Sequence, residues 1–319
     1  MAANGISTLA NKQLRQEAKL ALAALKRVTV GNIRTVYDIN TLPTKYSNNN
    51  LIDNANTGGL QQGRPWVTFQ PSMLFINGEY GVWYDAGDLS TLFQDTAGTI
   101  PVTTPGQTVA LMKDKSGRGI NATQSVLTNR PTYMVDPYGY GYLNFNGTSN
   151  FMVSGVINLS TTNKVTASVG LFVDPSKVTA GAAICLGSNA NSVNGTFLIG
   201  APSSTADHSF YLRGSSTLQA RMPNAVVGDD VLTGLFDLGQ STKELQLIPR
   251  LSGVVAPSIA WTGTTAGGGN FSNQPLYIGS MGGASTFFQG HIYSIIVRGA
   301  QSSTLEVLQT EVYINSKLD

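Results

Sequence analysis

Residues 275–314 read PLYIGSMGGASTFFQGHIYSIIVRGAQSSTLEVLQTEVYI. Two apolar runs with alternating character, Leu276–Ile278 and Ile292–Val297, flank a loop rich in Gly and Ser. Such alternation is typical of strands that bury one face. The residues that follow have the composition of a short amphipathic helix. This segment predicts two closing strands of a β-domain and a C-terminal helix.

The rest of the chain from about residue 71 has the same pattern of short apolar runs separated by turn residues. Antiparallel sheets of this kind alternate inward apolar and outward polar side chains. We therefore expect Val169, Leu171 and Val173 on one face of a strand. The predicted strands, besides the two closing ones, lie at 73–76, 82–84, 109–112, 142–145, 165–173, 182–186, 196–199, 209–212, 231–238 and 245–248.

The N-terminal part differs from this β-region. Residues 8–28 lack Gly and Pro and are dominated by strong helix formers, which predicts a helix. Spacing of four and three residues places an apolar seam on it, which we assign to oligomerisation or anchoring: Leu14, Ala18, Ala21, Leu25 and Val28. We divide the chain into the helix (1–31), an extended connector or strap (32–70) and a β-sandwich (71–319).

Bulk composition limits the function classes. The chain has 319 residues, of which 12% are charged and 41% are hydrophobic, and its net charge is +2. So small a charge gives no indication of nucleic-acid binding, although residues 1–45 are basic. No apolar stretch is long enough for membrane insertion. Cys185 is the one cysteine, so an intrachain disulfide is excluded, and we expect it in the core of a protein assembled in a reducing cytoplasm.

Three stretches resemble laminin-G-like or concanavalin-A-like jelly-roll virion structural proteins of tailed, marine-type bacteriophages. The first begins at Gly81-Val-Trp-Tyr-Asp85 and ends at the turn Asp114-Lys-Ser-Gly117. The second is Tyr142-Leu-Asn-Phe-Asn-Gly147, and the third is the closing segment. The N-terminal part, from Ile6 to Trp66, is similar in a less specific way to the leaders of virion structural proteins, and together the resemblance covers roughly the whole chain. It implies a mainly β fold, an antiparallel lectin-like sandwich preceded by an α-helix and a strap.

The function that the resemblance implies is that of a non-enzymatic virion protein. Residues 1–70 would contact other virion proteins, a homotrimer would be the favoured oligomer, and the sandwich would face outward for adhesion to a host-surface glycan as a tail-fibre or baseplate component. A capsid decoration or head-fibre protein is the first alternative. A glycan-active hydrolase or lyase is the second, and it would require two close carboxylates.

Candidate sites follow from residue type. An exposed aromatic platform with amide donors is typical of carbohydrate sites, which selects Trp261, Asn270 and Phe271 in a Gly/Thr-rich loop and Tyr138 and Tyr140 in a second patch. Trp83 is expected in the core. Asp85 and Asp88 are weak candidates for a structural calcium ion, because hard carboxylate oxygens suit that metal. We expect no other cofactor.

Histidine chemistry is not expected. The chain has two histidines, His208 and His291, and no G-x-S-x-G motif to supply a nucleophile. One cysteine and two distant histidines do not form a zinc-binding pattern. We therefore expect no catalytic residues.

Overall fold

The computed structural model describes residues 69–176, 179–202, 207–223, 228–256 and 258–318. The first strands along the chain are β1 (Gly81–Asp85), β2 (Leu92–Phe93), β3 (Leu111–Met112), β4 (Ala122–Thr123), β5 (Thr132–Val135), β6 (Gly141–Asn146), β7 (Met152–Ile157), β8 (Lys164–Val173) and β9 (Ala182–Leu186). They are followed by β10 (Thr196–Gly200), β11 (His208–Arg213), β12 (Thr217–Met222), β13 (Asp229–Asp237), β14 (Leu247–Leu251), β15 (Val254–Val255), β16 (Ala260–Thr262), β17 (Gln274–Ile278) and β18 (Gln289–Arg298).

These strands form two sheets of a β-sandwich. The eight-stranded sheet has the order β15-β14-β13-β8-β18-β6-β5, and β1 pairs with the second half of β18. The ten-stranded sheet has the order β16-β12-β11-β10-β9-β17-β7-β4-β3-β2. All of the strand pairings are antiparallel. The prediction of a mainly β antiparallel sandwich is confirmed.

The two closing strands belong to different sheets. β17 lies between β9 and β7 in the ten-stranded sheet, and β18 lies at the centre of the eight-stranded sheet. The Gly/Ser segment 279–288 therefore crosses from one sheet to the other. β18 contains a bulge between Ile292 and Ser294, where the backbone oxygen of Tyr293 accepts a hydrogen bond from the backbone N–H of Ala86.

Helices are few in the described part of the chain. α1 (Lys243–Gln246) is a single turn, and α2 (Thr304–Asn315) is the C-terminal helix that the sequence predicts. Three 3₁₀ turns span Pro71–Phe75, Leu89–Thr91 and Leu127–Asn129. None of the described helices is long and apolar enough to span a bilayer.

Two predicted strands are wrong or displaced. Residues 73–75 belong to the 3₁₀ turn Pro71–Phe75 and Ile76 caps it, because Pro71 at the start of the turn favours this conformation and removes a ladder donor. The run 245–248 begins in α1 and becomes extended only at Leu247. In both places the run is short, and periodicity alone does not separate a strand from a turn of helix.

The main core lies between the sheets. Val169, Leu171 and Val173 of β8 point into it, as the alternation predicts, while Phe172 belongs to a second cluster on the outer face of the eight-stranded sheet. Trp83 is 6% exposed and packs in that second cluster. The cluster is covered in part by α2, since Ile314 and Leu318 pack over Gly170. Trp83 is therefore a packing residue.

Helix α2 is fixed at its start and along its length. Ser303 and Glu306 form a capping box at its first turn. Glu311 is 0% exposed and accepts two hydrogen bonds from Arg250 of β14, from Nε at 2.8 Å and from Nη2 at 2.9 Å. The helix is thereby tied to the eight-stranded sheet, and among the described residues no comparable helix packs on the outer face of the ten-stranded sheet.

Candidate binding site

Strand β11 divides its side chains between the core and the outer face of the ten-stranded sheet. Phe210 and Leu212 point into the main core, and alternation places Ser209, Tyr211 and Arg213 on the opposite face. The neighbouring strands continue this outer face, because Ser209 pairs with Gly200 and Arg221 and Tyr211 pairs with Leu198 and Gln219. A row of polar and aromatic groups therefore crosses the outer face.

Two loops cover the centre of this face. The loop 187–195 places Ala190 against Cys185 and Leu198, and the segment 279–288 contributes Met281 to the same small apolar cluster. A cleft of about 50 Å³ remains beside them. Its floor includes Ala182, Leu198 and Gly200, and its walls include Asn191, Ser209, Tyr211, Met281 and Thr286. This cleft is the candidate binding site.

Two hydroxyl groups of the cleft have no hydrogen-bond partner among the described residues. Ser209 is 1% exposed, and its Oγ is shielded from solvent and unpaired. Oγ1 of Thr286 is likewise shielded and unpaired. A buried hydroxyl without a partner costs about 1–3 kcal/mol, and such groups are rare in native proteins. A ligand that supplies partners would remove this cost.

Backbone geometry holds the cleft open. Gly200 lies beside Ser209, and a Cβ at residue 200 would stand 2.8 Å from Oγ of Ser209. Thr286 has a φ of 47°, a left-handed conformation that β-branched residues seldom adopt. Its backbone oxygen accepts a hydrogen bond of 2.8 Å from the N–H of Ala182. The strand and the loop are thereby joined at the cleft.

The surroundings of the cleft are polar. Oη of Tyr211 accepts a hydrogen bond of 2.7 Å from Nε2 of Gln219. Arg221 forms an ion pair with Asp207. The described lining residues include no carboxylate. The described lining thus offers hydroxyl, amide and aromatic groups.

Cys185 lies under the outer face and is 0% exposed. Burial raises the pKa of its thiol from 9.0 to about 12. The thiol is therefore neutral at ordinary pH and behaves as a small packing group, as the sequence predicts.

The first predicted aromatic patch is placed elsewhere. Phe271 is 2% exposed and packs edge-on to Phe197 in the main core, so it is unavailable to a ligand and its assignment is corrected. Trp261 lies opposite Ala220, a core residue, and the ammonium group of Lys243 stands 5.6 Å from its ring centroid. Asn270 is exposed and donates a hydrogen bond to the backbone oxygen of Ser160.

The second predicted patch lies at the other sheet. Tyr138 is 69% exposed at the turn between β5 and β6, and Tyr140 packs against the outer cluster of the eight-stranded sheet. Oδ1 of Asp136 holds this turn by accepting hydrogen bonds from the backbone N–H groups of both tyrosines. These two side chains do not share a face with the cleft.

The carboxylates proposed for calcium are occupied by cations of the protein. Oδ2 of Asp85 accepts hydrogen bonds from Lys115 at 3.2 Å, Lys317 at 3.0 Å and Oη of Tyr313 at 3.0 Å. Asp88 accepts a hydrogen bond of 2.6 Å from Lys115. Ammonium groups thus take the positions that a calcium ion would require. The described residues contain no cluster of three metal-ligating side chains.

The two histidines are held within packed structure. Nε2 of His208 lies 3.1 Å from Oδ2 of Asp230, and both side chains are buried. The ring of His291 stacks on Tyr142, with centroids 3.8 Å apart, and on Phe172, with centroids 4.9 Å apart. Burial lowers the pKa of His291, against the opposing charges of Asp174 and Asp136. Neither histidine lines the cleft.

The predicted anchor residues Leu14, Ala18, Ala21, Leu25 and Val28 lie outside the described residues, as does nearly all of the connector 32–70. Sequence reasoning missed Ser209, Tyr211 and Thr286. For the first two a signal was present in the sequence. In the predicted strand 209–212, Ser209 and Tyr211 alternate with the apolar Phe210 and Leu212, so they are expected on the outer face. The sequence gives no such signal for Thr286. Its place at the cleft depends on the path of segment 279–288, which joins the two sheets.

Comparisons with known proteins give fold similarities of low identity. No family model and no curated protein matches the chain. The binding domain of botulinum neurotoxin serotype G superposes with a TM-score of 0.47 and 10% identity over 64% of this chain and 49% of that one. The serotype D ligand-binding domain, solved with N-acetylneuraminic acid, has a TM-score of 0.47 and 8% identity over 75% and 52%.

A shorter domain is also similar. Domain 4 of AbnA, a GH43 extracellular arabinanase from Geobacillus stearothermophilus solved with arabinotriose, has a TM-score of 0.45 and 13% identity over 72% of this chain and 97% of that one. This chain spans about half the length of the matched toxin domains.

Proposed function

We propose that the chain is a non-enzymatic carbohydrate-binding protein whose ligand site is the cleft on the outer face of the ten-stranded sheet. The observation that carries the proposal is the pair of unpartnered hydroxyls, Ser209 Oγ and Thr286 Oγ1, at one cleft. Each hydroxyl has one donor and two acceptor sites. A ligand rich in hydroxyl groups matches that demand, because its own hydroxyls both donate and accept.

The apolar part of the cleft supports a sugar in particular. Tyr211 offers a ring beside the hydroxyls, while the small residues Ala182 and Gly200 leave space at the floor. A pyranose ring combines C–H surface with hydroxyls, and an aromatic side chain with a polar tip suits both. Met281 also lines the cleft. Because both hydroxyls are shielded, binding requires a side chain to move, and we assign that movement to Met281 because its side chain is unbranched and adaptable.

Binding without turnover is favoured over hydrolysis. Glycoside hydrolysis generally uses two carboxyl groups on either side of the scissile bond. The described lining residues provide none. We therefore retain the enzyme only as the alternative that an assay for released sugar tests.

The position of the protein in a larger assembly is a separate part of the proposal. The resemblance of its sequence to tailed-phage jelly-roll proteins, together with the basic residues in 1–45, supports a virion protein held through residues 1–70, with the cleft displayed to a host-surface glycan. Assembly as a homotrimer and the alternative role in capsid decoration belong to this proposal. A cryo-EM map of the particle and the incorporation of a 71–319 truncation test it.

The binding proposal is tested on an array of oligosaccharides with the full chain. We expect wild type to bind a defined subset, and Ser209→Ala combined with Thr286→Ala to lose that binding. Ser125→Ala, at an exposed position away from the cleft, is the matched control. Equal binding by wild type and the double variant would place the site elsewhere. Release of reducing sugar from a bound glycan would show an enzyme.

A further inference from the structure

Arg213 extends the outward row of β11 beyond the cleft. It follows Ser209 and Tyr211 at alternate positions of the strand, so the three side chains share one face. Arg213 lies four positions after Ser209 along the strand, which is a distance of about 13 Å. Arg213 is only partly buried. The row therefore runs from the hydroxyls, past an aromatic ring, to a cation.

The contacts of Arg213 leave its charge uncompensated within the described residues. Nε donates to Oδ1 of Asn194 at 3.2 Å, and Nη1 donates to Oγ1 of Thr217 at 2.6 Å. Both partners are neutral, and Nη2 has no hydrogen bond to a described residue. The two contacts fix the plane of the guanidinium and leave its Nη1–Nη2 edge with donors to spare.

Four of the five other described arginines are satisfied differently; the fifth, Arg118, donates from Nη2 to the backbone oxygen of Phe75 and forms no ion pair with a described residue. Arg221, Arg250 and Arg298 each pair with at least one carboxylate. Arg130 uses Nε, Nη1 and Nη2 on three backbone oxygens, which marks it as a structural residue. Arg213 differs from Arg130 and from the three paired arginines because two side-chain hydrogen bonds orient its guanidinium while some of its N–H donors remain unused.

Arg213 is also connected to the cleft. Thr217, which accepts from Nη1, contacts the backbone oxygen of Asn191 at 3.5 Å, and Asn191 lines the cleft. The loop 187–195 therefore borders both the cleft and the guanidinium. A ligand held at Ser209 and Thr286 and extended along β11 would reach Arg213 after more than one sugar ring.

We infer that the ligand is an acidic oligosaccharide, in which hydroxyls of one sugar occupy the cleft and the oxyanion of another pairs with Arg213. The inference rests on the proposed function and specifies its ligand class. A guanidinium edge with parallel donors binds carboxylate or sulfate oxygens. A sugar carboxylate, as in a uronic acid, and a sulfate ester are two sources of such a group, and the experiment separates them.

The test compares matched oligosaccharides on the full chain: a uronate trisaccharide against its methyl ester, and a sulfated trisaccharide against its unsulfated form. Hydrogen bonds to charged groups predict roughly a tenfold or greater preference for the acidic member. Arg213→Gln is expected to remove that preference, measured as the ratio of the affinities for the acidic and the neutral member of each pair. Arg213→Lys should retain part of it, and Lys113→Gln, an exposed charge loss elsewhere, should retain all of it.

The outcomes separate this inference from the function on which it rests. A preference for either acidic member that Arg213→Gln abolishes supports the inference and identifies the oxyanion. Equal binding of acidic and neutral members, or a preference that Arg213→Gln retains, overturns the inference while the carbohydrate site stands. Failure of wild type to bind any oligosaccharide overturns the proposed function and the inference with it.

Discussion

A Cβ atom built on Gly200 would lie 2.8 Å from Oγ of Ser209, across the pair of strands that forms the floor of the cleft. The glycine therefore leaves space beside a hydroxyl that has no partner among the described residues. A glycine within a strand and a buried hydroxyl without a partner each lower the stability of the folded protein, so stability alone does not explain why both are found here.

Gly200→Ala should block the cleft. The added methyl group would meet Ser209 Oγ and approach Leu198 Cδ2 at 3.3 Å, so the space available to a ligand is lost. We expect glycan affinity to fall about ten- to hundredfold, the equivalent of an overpacking cost of about 1–3 kcal/mol. Isothermal titration calorimetry measures it. The control is Gly155→Ala, since a Cβ there meets Ile120 at an ordinary 3.4 Å; unchanged affinity in Gly200→Ala would refute the assignment of the floor.

Ser209→Ala should stabilise the unliganded protein while it weakens binding. The substitution removes a buried hydroxyl that lacks a partner, so the free energy of unfolding should rise by about 1 kcal/mol. Ser168→Ala is the matched comparison, because Ser168 is equally buried but shares a hydrogen bond of 2.9 Å with Thr233. Loss of that hydrogen bond in Ser168→Ala should lower the free energy of unfolding by about 1 kcal/mol. Urea unfolding measures both, and equal destabilisation of the two variants would contradict a ligand-binding role for Ser209.

Alkaline pH should destabilise the protein through Cys185. Because burial raises its thiol pKa from 9.0 to about 12, the unfolded chain loses this proton at lower pH than the folded chain does. The stabilisation is complete below pH 9 and is lost as pH rises toward 12. The slope from one such group approaches about 1.4 kcal/mol per pH unit. Urea unfolding at pH 8, 9 and 10 should show a shallower decline in Cys185→Ala, and identical slopes would contradict this origin.

Glu311→Gln should destabilise the protein strongly. Glu311 is 0% exposed and its two oxygens accept the paired hydrogen bonds from Arg250, so the variant leaves a largely buried guanidinium without its counter-charge. Breaking one partner of such a pair costs about 3–5 kcal/mol. Replacing both, as Arg250→Met with Glu311→Leu, should recover much of the loss in urea unfolding.

The control for that experiment is the exposed pair between Lys243 and Glu244. Glu244→Gln should change the free energy of unfolding by less than about 1 kcal/mol, because water and side-chain entropy offset the attraction. If the Arg250/Glu311 double variant were no more stable than Glu311→Gln alone, the pair would not be the cause of the loss.

The sequence predicts those parts of the fold that local pattern determines. The run 165–173 alternates clearly, and the structure buries Val169, Leu171 and Val173 in the main core. The closing strands and α2 are likewise found within a few residues of their predicted positions. Pairing across the sandwich is not local. Lys317 and Asp85 form an ion pair across 232 positions, so the sequence showed an acid suited to calcium but not the cations that occupy it.

The difference between local pattern and long-range pairing also explains the errors at the predicted ligand site. Phe271 follows a run of Gly and Asn, which is typical of an exposed loop. Tertiary hydrogen bonds bring it inside, because its N–H donates to the backbone oxygen of Thr162 and the next N–H donates to that of Gly195. The candidate cleft is formed by two loops and three strands that meet only in the folded chain. No sequence pattern therefore indicated that the hydroxyls of Ser209 and Thr286 lie at the same site.

The methyl resonance of Met281 gives the most direct test of the central claim, that a sugar binds at the cleft. Met281 lines the cleft, whereas Met134 packs at the outer cluster of the eight-stranded sheet. Titration of methyl-labelled protein with an oligosaccharide selected on the array should change the chemical shift of the Met281 methyl group in proportion to occupancy. The chemical shift of the Met134 methyl group should stay unchanged. A titration in which Met134 shifts and Met281 does not would contradict the account.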